Sequence, residues 1–232
     1  MIDPGRQSPP TVAVFDVNET LSDTSGLALR FQEVGASVEL LEPWFNETLR
    51  DGFALTAAGT SAGFAEIAVP KLAAFMTGDG MGKNAARGAA EHVVAGMEDL
   101  DLHPDVAPGL RALVDGGMRV VTLSNGSADV AESLLERTGL RDLVEQCLSV
   151  IDAGRWKPAP EAYGHAVASC ETERSKLAMI AVHPWDIDGA TRAGLRGAWL
   201  RRGADEYPPY FSAPEFSGDD LPELAAALLA TS

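Results

Sequence analysis

Asp16 is the first residue whose type and setting indicate chemistry, because it places a carboxylate directly after the apolar run VAVF. Polar residues follow three further apolar runs: Ser124 with Asn125, then Lys157, then Asp186. A lysine beside an aspartate favours the charged carboxylate, which can attack an electrophile or take a proton from water. Each residue alone is more commonly a turn or helix cap. Their occurrence at four successive strand ends favours a single reactive site.

These residues need elements that bring them together. Apolar runs of strand character cover residues 12–17, 118–125, 146–152, 177–183 and 197–202, and helical spacing is found at 106–115, 128–138, 160–170 and 187–193. Strands that alternate with helices in this way predict an α/β fold with a doubly wound parallel (Rossmann-like) sheet. Ligands of such sheets bind at the carboxyl ends of the strands, where the polar positions fall.

The stretch between the first and second strands has a different pattern. Residues 24–99 are rich in Ala, Leu and Phe with helical spacing, and glycines at 78, 80 and 82 indicate a loop within them. We therefore predict an all-helical cap at 24–99, inserted into an α/β core made of 11–23 and 100–232. Residues 1–10 are predicted to form a disordered tail.

Charge and composition limit the classes of molecule that this protein is expected to bind. The formal net charge of −16 disfavours nucleic acid and anionic membranes, which select Lys and Arg. The two cysteines lie in no metal-binding or disulfide pattern, which fits a reducing cytoplasm. No signal-peptide pattern is present, and no apolar run approaches the ~20 residues that span a bilayer. We expect a cytoplasmic protein with a small-molecule substrate, and a homodimer is compatible with the sequence.

The order of these motifs resembles the haloacid dehalogenase superfamily of hydrolases over nearly the whole chain after the tail. The nucleophile loop of that family corresponds to DVNET, its Ser/Thr motif to TLSNGS, its lysine motif to RWKPAPEAY and its acidic loop to HPWDIDGA. LSNGS, the Lys157 to Tyr163 spacing and the pair Trp185 and Asp186 are similar to the L-2-haloacid dehalogenase group. The resemblance implies hydrolysis of a small 2-haloalkanoic acid through an aspartyl ester, giving the 2-hydroxy acid.

The resemblance also implies roles for individual residues. Asp16 is the expected nucleophile, Lys157 keeps it ionised, Thr20 and Ser124 orient carboxylates, and Asp186 positions or deprotonates the hydrolytic water. The expected substrate contacts are Val17, Asn18, Phe45, Leu49, Phe64, Asn125, Tyr163, His183 and Trp185. The helical cap is expected to close the site and to exclude bulk water.

A physical argument separates a dehalogenase from a phosphatase. Phosphatases of the superfamily carry an aspartate two residues after the nucleophile to protonate the departing alkoxide, but this chain has Asn18 there. A halide leaves without a proton. The usual pair of acidic metal ligands is also incomplete, so we expect no metal and no other cofactor. In the alternative phosphatase, Glu19 or Asp188 completes a Mg²⁺ site.

Three departures from the dehalogenase group concern the substrate. The group has an arginine for the leaving halide where Phe45 follows Trp44 here, and Arg50 or Arg30 are candidate replacements. His183 replaces an asparagine, as a water-activating base or as a buried, hydrogen-bonded residue. Glu19 replaces a glycine. The alternatives are therefore a phosphatase, a hydrolase of another 2-substituted carboxylate, and a non-catalytic binding relative.

Overall fold

A parallel sheet forms the centre of the molecule. In this computed structural model, which describes residues 9–203 and 206–230, the six strands of the sheet lie in the order β3-β2-β1-β4-β5-β6 and every neighbouring pair is parallel. The strands are β1 (Val12–Phe15), β2 (Arg119–Ser124), β3 (Gln146–Ser149), β4 (Leu177–Ala181), β5 (Arg196–Leu200) and β6 (Phe216–Gly218). This order is the doubly wound one, so the predicted fold class is confirmed.

Helices cover both faces of this sheet and fill the stretch between its first two strands. In chain order they are α1 (Leu27–Glu33), α2 (Leu41–Ala57), α3 (Phe64–Gly78), α4 (Lys83–Ala95), α5 (Val106–Asp115), α6 (Ala128–Arg137), α7 (Val150–Ala153), α8 (Pro160–Ser169), α9 (Pro184–Arg192) and α10 (Leu221–Leu229). Short 3-10 turns join several of them.

The direction of the chain reverses across the sheet between β1 and β4. From β1 it proceeds to β2 and β3 on one side, and then from β4 to β5 and β6 on the other. The crevice at such a switch point is the usual ligand site of a doubly wound sheet. Asp16 directly follows β1, and the loop from Val182 begins at the end of β4, so both lie at this crevice.

Local signals explain where the predicted elements were wrong. The run 146–152 was predicted as one strand, but it divides because Ser149 caps α7 by accepting a hydrogen bond from the backbone N–H of Ile151 at 3.2 Å. The helix predicted from residue 187 begins at Pro184, a residue suited to the first turn. β6 and α10 were not predicted, although Asp220 caps α10.

Residues 24–99, called the helical segment below, are all described and contain helices and 3-10 turns without a strand. Within it α2 packs on α3, where the indole N–H of Trp44 donates to the carbonyl of Ala68 at 2.9 Å. One hydrophobic core joins this segment to the sheet, since Val12 and Val14 of β1 belong to the same cluster as Trp44. Its division from the core as a separate domain stays a prediction.

The opposite face of the sheet is covered by α5 and α10. Leu110 and Leu224 belong to the fully buried cluster there, together with Phe15 of β1. Of the predicted tail, residues 1–8 lie outside the described residues, and Pro10, its last residue, is buried next to β1; the tail stays a prediction. Over the described part of the chain, no helix is long and apolar enough to cross a membrane.

Candidate active site

A lysine between two aspartates forms the centre of the site. Lys157 is fully buried and its Nζ donates to Oδ1 of Asp16 at 2.8 Å and to Oδ2 of Asp186 at 2.7 Å. Asp16 is 5% exposed and Asp186 is fully buried. Asp16 directly after β1, Lys157 in the loop between α7 and α8, and Asp186 in the first turn of α9 therefore meet at the switch point. A charge buried this deeply needs such partners.

Hydrogen bonds fix the remaining oxygens of both carboxylates. The Thr20 hydroxyl donates to Oδ2 of Asp16 at 2.8 Å, and the backbone N–H of Val182 donates to the Thr20 hydroxyl at 3.2 Å. The Tyr163 hydroxyl donates to Oδ1 of Asp186 at 2.6 Å. The Tyr163 hydroxyl thus orients the Asp186 carboxylate, and the predicted contact of Tyr163 with substrate stays a prediction.

The two aspartates differ in charge preference. Burial favours the neutral form of Asp16, but the charges of Lys157 and His183 and the hydrogen bonds from Lys157 and Thr20 outweigh it, so the pKa of Asp16 lies below its ordinary value. Burial dominates at Asp186, and with the nearby charge of Asp16 it raises the pKa of that carboxyl despite Lys157. Of the two, Asp16 is therefore the carboxylate that the surrounding charges and hydrogen bonds hold in its charged form.

Asn125 holds the lysine loop in place. Its side-chain Oδ1 accepts a hydrogen bond from the backbone N–H of Lys157 at 2.9 Å, and its Nδ2 donates to the carbonyl of the same residue at 3.3 Å. Ser124 accepts from the backbone N–H of Gly126 at 2.8 Å. The described bonds thus give Asn125 a positioning function and give Ser124 a backbone partner. Their predicted contacts with substrate and with a carboxylate, respectively, stay predictions.

His183 lies between the carboxylates of Asp16 and Glu19. The Nε2 atom of His183 lies 3.7 Å from Oδ2 of Asp16 and 3.4 Å from Oε2 of Glu19. The imidazole stacks on Trp185, with ring centroids 5.1 Å apart. Glu19 adopts the left-handed φ of 63°, which costs a non-glycine residue of order 1–3 kcal/mol and is concentrated at functional sites. Burial, opposed by His183, raises the pKa of Glu19.

Three residues expected to contact substrate, Phe45, Leu49 and Phe64, lie together on the helical segment, and their contact with substrate stays a prediction. Phe45 and Phe64 are buried with ring centroids 5.9 Å apart, and Leu49 is partly buried against the same cluster. Trp185 packs edge-on against Phe53 at 5.0 Å. The side chain of Val17, by contrast, is buried with the α6 residues Ala131 and Leu134, so its predicted substrate contact stays a prediction.

Trp156 is a structurally important residue that the sequence reasoning missed. Its ring stacks on Phe64, its indole N–H donates to the carbonyl of Ala62 at 2.9 Å, and its backbone N–H donates to the hydroxyl of Thr56 at 3.1 Å. A Cβ added to Gly52 would lie 2.4 Å from this ring. Trp156 therefore joins the helical segment to the loop that carries Lys157. An aromatic residue directly before the lysine was the available signal.

A cavity of about 390 Å³ lies between the helical segment and the strand ends, and its lining includes Asn18, Phe64, Met97, Ser124, Val130 and Ile151. Its lining is mostly apolar, with polar side chains from the loops after β1 and β2. A larger surface groove of about 970 Å³ is lined by α3 and α4 residues such as Val69 and Ala73. The smaller cavity is the one that reaches the strand-end residues.

The two arginines considered as replacements for the missing halide-binding arginine form ion pairs with other residues. The guanidinium of Arg50 binds Glu47 and Asp51 on the exposed side of α2. Arg30 binds Glu33 and Asp99. In these positions neither arginine replaces the halide-binding arginine that is absent at Phe45.

Asp188 is also unsuited to its alternative role as a Mg²⁺ ligand. Its Oδ1 accepts from the backbone N–H and hydroxyl of Ser212, and its Oδ2 accepts from Arg192 at 2.8 Å. Between Asp16 and Asp186 the ammonium of Lys157 already occupies the position of a shared cation. Across residues 9–203 and 206–230, no cluster of three or more His, Cys, Asp or Glu residues has a metal-binding arrangement.

Comparisons with known proteins agree with this fold. A model of the haloacid dehalogenase-like hydrolase family matches residues 10–194. Haloacetate dehalogenase H-2 of Moraxella sp. (strain B) is 26% identical over 205 residues, which cover 88% of this chain and 91% of that protein. (S)-2-haloacid dehalogenase 4A of Burkholderia cepacia is 27% identical over 203 residues, 87% of each chain.

A solved structure shows the same fold. The L-2-haloacid dehalogenase of Xanthobacter autotrophicus superimposes with a TM-score of 0.82 at 20% identity, covering 94% of this chain and 97% of that one. The doubly wound sheet and the family match together define the class, a hydrolase with a Rossmann-like α/β core. The chain belongs to the haloacid dehalogenase-like hydrolase family, which confirms the predicted resemblance.

Proposed function

We propose that this protein is a hydrolase that displaces the halide of a small 2-haloalkanoic acid and releases the 2-hydroxy acid. The observation that carries the proposal is the 2.8 Å contact between Lys157 Nζ and Asp16 Oδ1, which holds a nearly buried carboxylate in its charged form. The relatives named as haloacetate and (S)-2-haloacid dehalogenases support this substrate class. The proposed enzyme needs no metal or organic cofactor.

In the first step a carboxylate oxygen of Asp16 attacks C2 of the substrate from the side opposite the halogen. A carbon–oxygen bond forms, the carbon–halogen bond breaks, and the halide leaves with the bonding electrons. Thr20 and Lys157 hold the carboxylate in one orientation, which lowers the entropic cost of reaching the attack geometry. The configuration at C2 is inverted.

In the second step water attacks Cγ of the aspartyl ester. The bond between Cγ and the ester oxygen breaks, so the product keeps an oxygen that belonged to Asp16. C2 is untouched in this step, and its inverted configuration is retained. The helical segment, fastened by Trp156 beside Lys157, limits the access of bulk water.

Phosphatase activity is the less favoured alternative. Asn18 stands where a general acid is required, and an amide does not protonate a departing alkoxide. Asp188, one of two candidate Mg²⁺ ligands, is committed to Ser212 and Arg192. A hydrolase of another 2-substituted carboxylate is the second alternative, and turnover measurements with such acids distinguish it. Cytoplasmic location and a homodimer also stay predictions.

A parallel screen tests the proposed function. Purified protein is given 2-bromo- and 2-chloroalkanoic acids and, separately, small phosphate esters, each with and without EDTA, while halide and phosphate release are measured. We expect halide release that EDTA leaves unchanged and that Asp16→Asn abolishes. Phosphate release that depends on Mg²⁺, without halide release, would replace the proposal with a phosphatase. No release of either kind would favour a binding relative.

A further inference from the structure

The hydrolysis step needs a group that takes a proton from water, and Asp186 is poorly placed for it. Its Oδ1 accepts from the Tyr163 hydroxyl at 2.6 Å and its Oδ2 from Lys157 Nζ at 2.7 Å. The residue is fully buried. Each oxygen therefore already accepts a hydrogen bond from a strong donor, and neither is exposed to a water molecule approaching the site.

His183 has the access that Asp186 lacks. Its side chain is 17% exposed, and Nε2 lies 3.7 Å from Oδ2 of Asp16. That separation, like the 3.4 Å to Oε2 of Glu19, exceeds the usual 2.7–3.2 Å of an N–H···O hydrogen bond. Nε2 is thus directed at the nucleophile without being tightly bound to it, which leaves it available to a water molecule next to Cγ.

Neighbouring groups hold the side chains of His183 and Glu19 close to each other. The imidazole of His183 stacks on Trp185 with an interplanar angle of 17°, at the start of α9. The left-handed backbone of Glu19 sets the direction of its side chain. The backbone carbonyl of Glu19 lies 3.2 Å from Nε2 of His103. Because a glutamate is disfavoured at such a φ, its presence there indicates a function for the carboxylate.

We propose that His183 is the general base of ester hydrolysis and that Glu19 is the counter-ion of the imidazolium that forms. This inference rests on the proposed function. Water loses a proton to Nε2 as its oxygen bonds to Cγ of the ester. The tetrahedral intermediate then breaks the bond between Cγ and the ester oxygen, and the departing alkoxide takes the proton back from His183. The remaining proton of Asp16 goes to solvent.

The positions of the carboxylates around His183 fit its proposed role in ester hydrolysis. In the free enzyme Nε2 faces two carboxylates, Asp16 and Glu19. Esterification neutralises Asp16, so Glu19 is the anion that remains 3.4 Å from Nε2 when the imidazolium forms. An anion at that distance stabilises the cation in a partly buried site. Positioned general bases of this kind contribute typically 10²–10⁴-fold.

Rapid-quench single turnovers with 2-bromopropionate test the proposal, because they separate ester formation from ester breakdown. Mass spectrometry follows the alkyl adduct on Asp16 while bromide is measured in parallel. In His183→Gln we expect bromide to appear in a burst, the adduct to persist, and its breakdown to slow by about 10²-fold or more. Glu19→Gln should slow breakdown by about tenfold. Added imidazole should restore part of the breakdown rate in His183→Ala.

The chain offers a matched control in a second histidine–glutamate contact, since His92 Nε2 lies 2.7 Å from Glu33 on the surface of the helical segment. His92→Gln should behave as wild type. Breakdown at the wild-type rate in a folded His183→Gln protein, or an adduct that accumulates only in Asp186→Asn, would overturn the inference while leaving the proposed function intact. Absence of bromide release in wild type, together with absence of any adduct in His183→Gln, would overturn both.

Discussion

The Nζ atom of Lys157 lies 2.8 Å from Oδ1 of Asp16, although 141 positions separate the two residues in the chain. The pair exists because the carboxyl ends of β1 and β3 lie at the same edge of the sheet. Asp16 follows the first of these strands, and Lys157 follows the second after the short helix α7. Since both side chains are removed from water, the contact is a requirement of the folded state as well as of the chemistry.

Removal of the lysine charge should therefore affect stability and activity together. In Lys157→Met two buried carboxylates lose their cation, and we expect the free energy of unfolding to fall by about 3–5 kcal/mol near pH 7. Without the lysine, burial would raise the pKa of both carboxyl groups in the folded state. The variant therefore loses stability as pH rises above about 4, the ordinary pKa of these carboxyl groups in the unfolded chain. Urea titrations at several pH values check this. A gap between variant and wild type that stays constant from pH 4 to pH 7 would contradict it.

The contact between Gly52 and Trp156 should control the fit of the helical segment on the core. Gly52→Ala places a methyl group 2.4 Å from the Trp156 ring, and we expect a loss of about 1–3 kcal/mol from overpacking. Gly78→Ala is the matched control, because its Cβ would meet nothing within 4 Å at the end of α3. Thermal melts of both variants provide the comparison. Equal stability of the two variants would show that the contact is unimportant.

Much of this arrangement was predictable from the sequence, for a local reason. The buried strands β1 and β4 are continuous apolar runs, VAVF and LAMIA, and the residue type changes abruptly near the end of each strand. Parallel strands place those ends together, so the convergence of Asp16, Lys157 and Asp186 followed from pattern alone. The order of the motifs then indicated the family.

Other features depend on contacts that no local pattern encodes. β6 is a three-residue edge strand, FSG, whose pairing with β5 cannot be distinguished from a loop in the sequence. The binding of Asn125 to the backbone of Lys157 and the packing of Trp156 against Gly52 join distant segments. The direction of Arg50 is decided by carboxylates on its own helix, α2.

The cavity predicts a preference for substrate length. Its volume of about 390 Å³ is within the ~300–1,000 Å³ range of pockets for larger ligands, and Val130, Met97 and Ile151 make part of it apolar. Each added methylene buried there should raise kcat/KM by about fourfold, from ~0.8 kcal/mol per group. We expect 2-bromohexanoate to exceed 2-bromopropionate, and Val130→Phe to reduce that ratio. A steady decline with chain length in wild type would contradict this assignment.

Asp188 should contribute to stability only above acidic pH. Hydrogen bonds from Arg192 and Ser212 hold its pKa at about 2 against burial. A depressed pKa stabilises the fold above the unfolded value of about 3.9, and this contribution is lost as pH falls toward 2. Because Arg192 is exposed, we expect Asp188→Asn to cost about 1 kcal/mol at pH 7. Denaturation at pH 7 and pH 2.5 should show the difference shrinking, and a constant difference would refute the argument.

Transfer of oxygen from Asp16 to the product tests the central claim most directly. A single turnover of a 2-haloacid in ¹⁸O-labelled water, with enzyme in excess, is followed by mass spectrometry of both the product and the peptide that contains Asp16. Because water attacks Cγ of the ester, we expect the label on Asp16 and an unlabelled 2-hydroxy acid. Label in the product from that first turnover, with none on Asp16, would contradict the account and would make Asp16 a general base for direct attack by water.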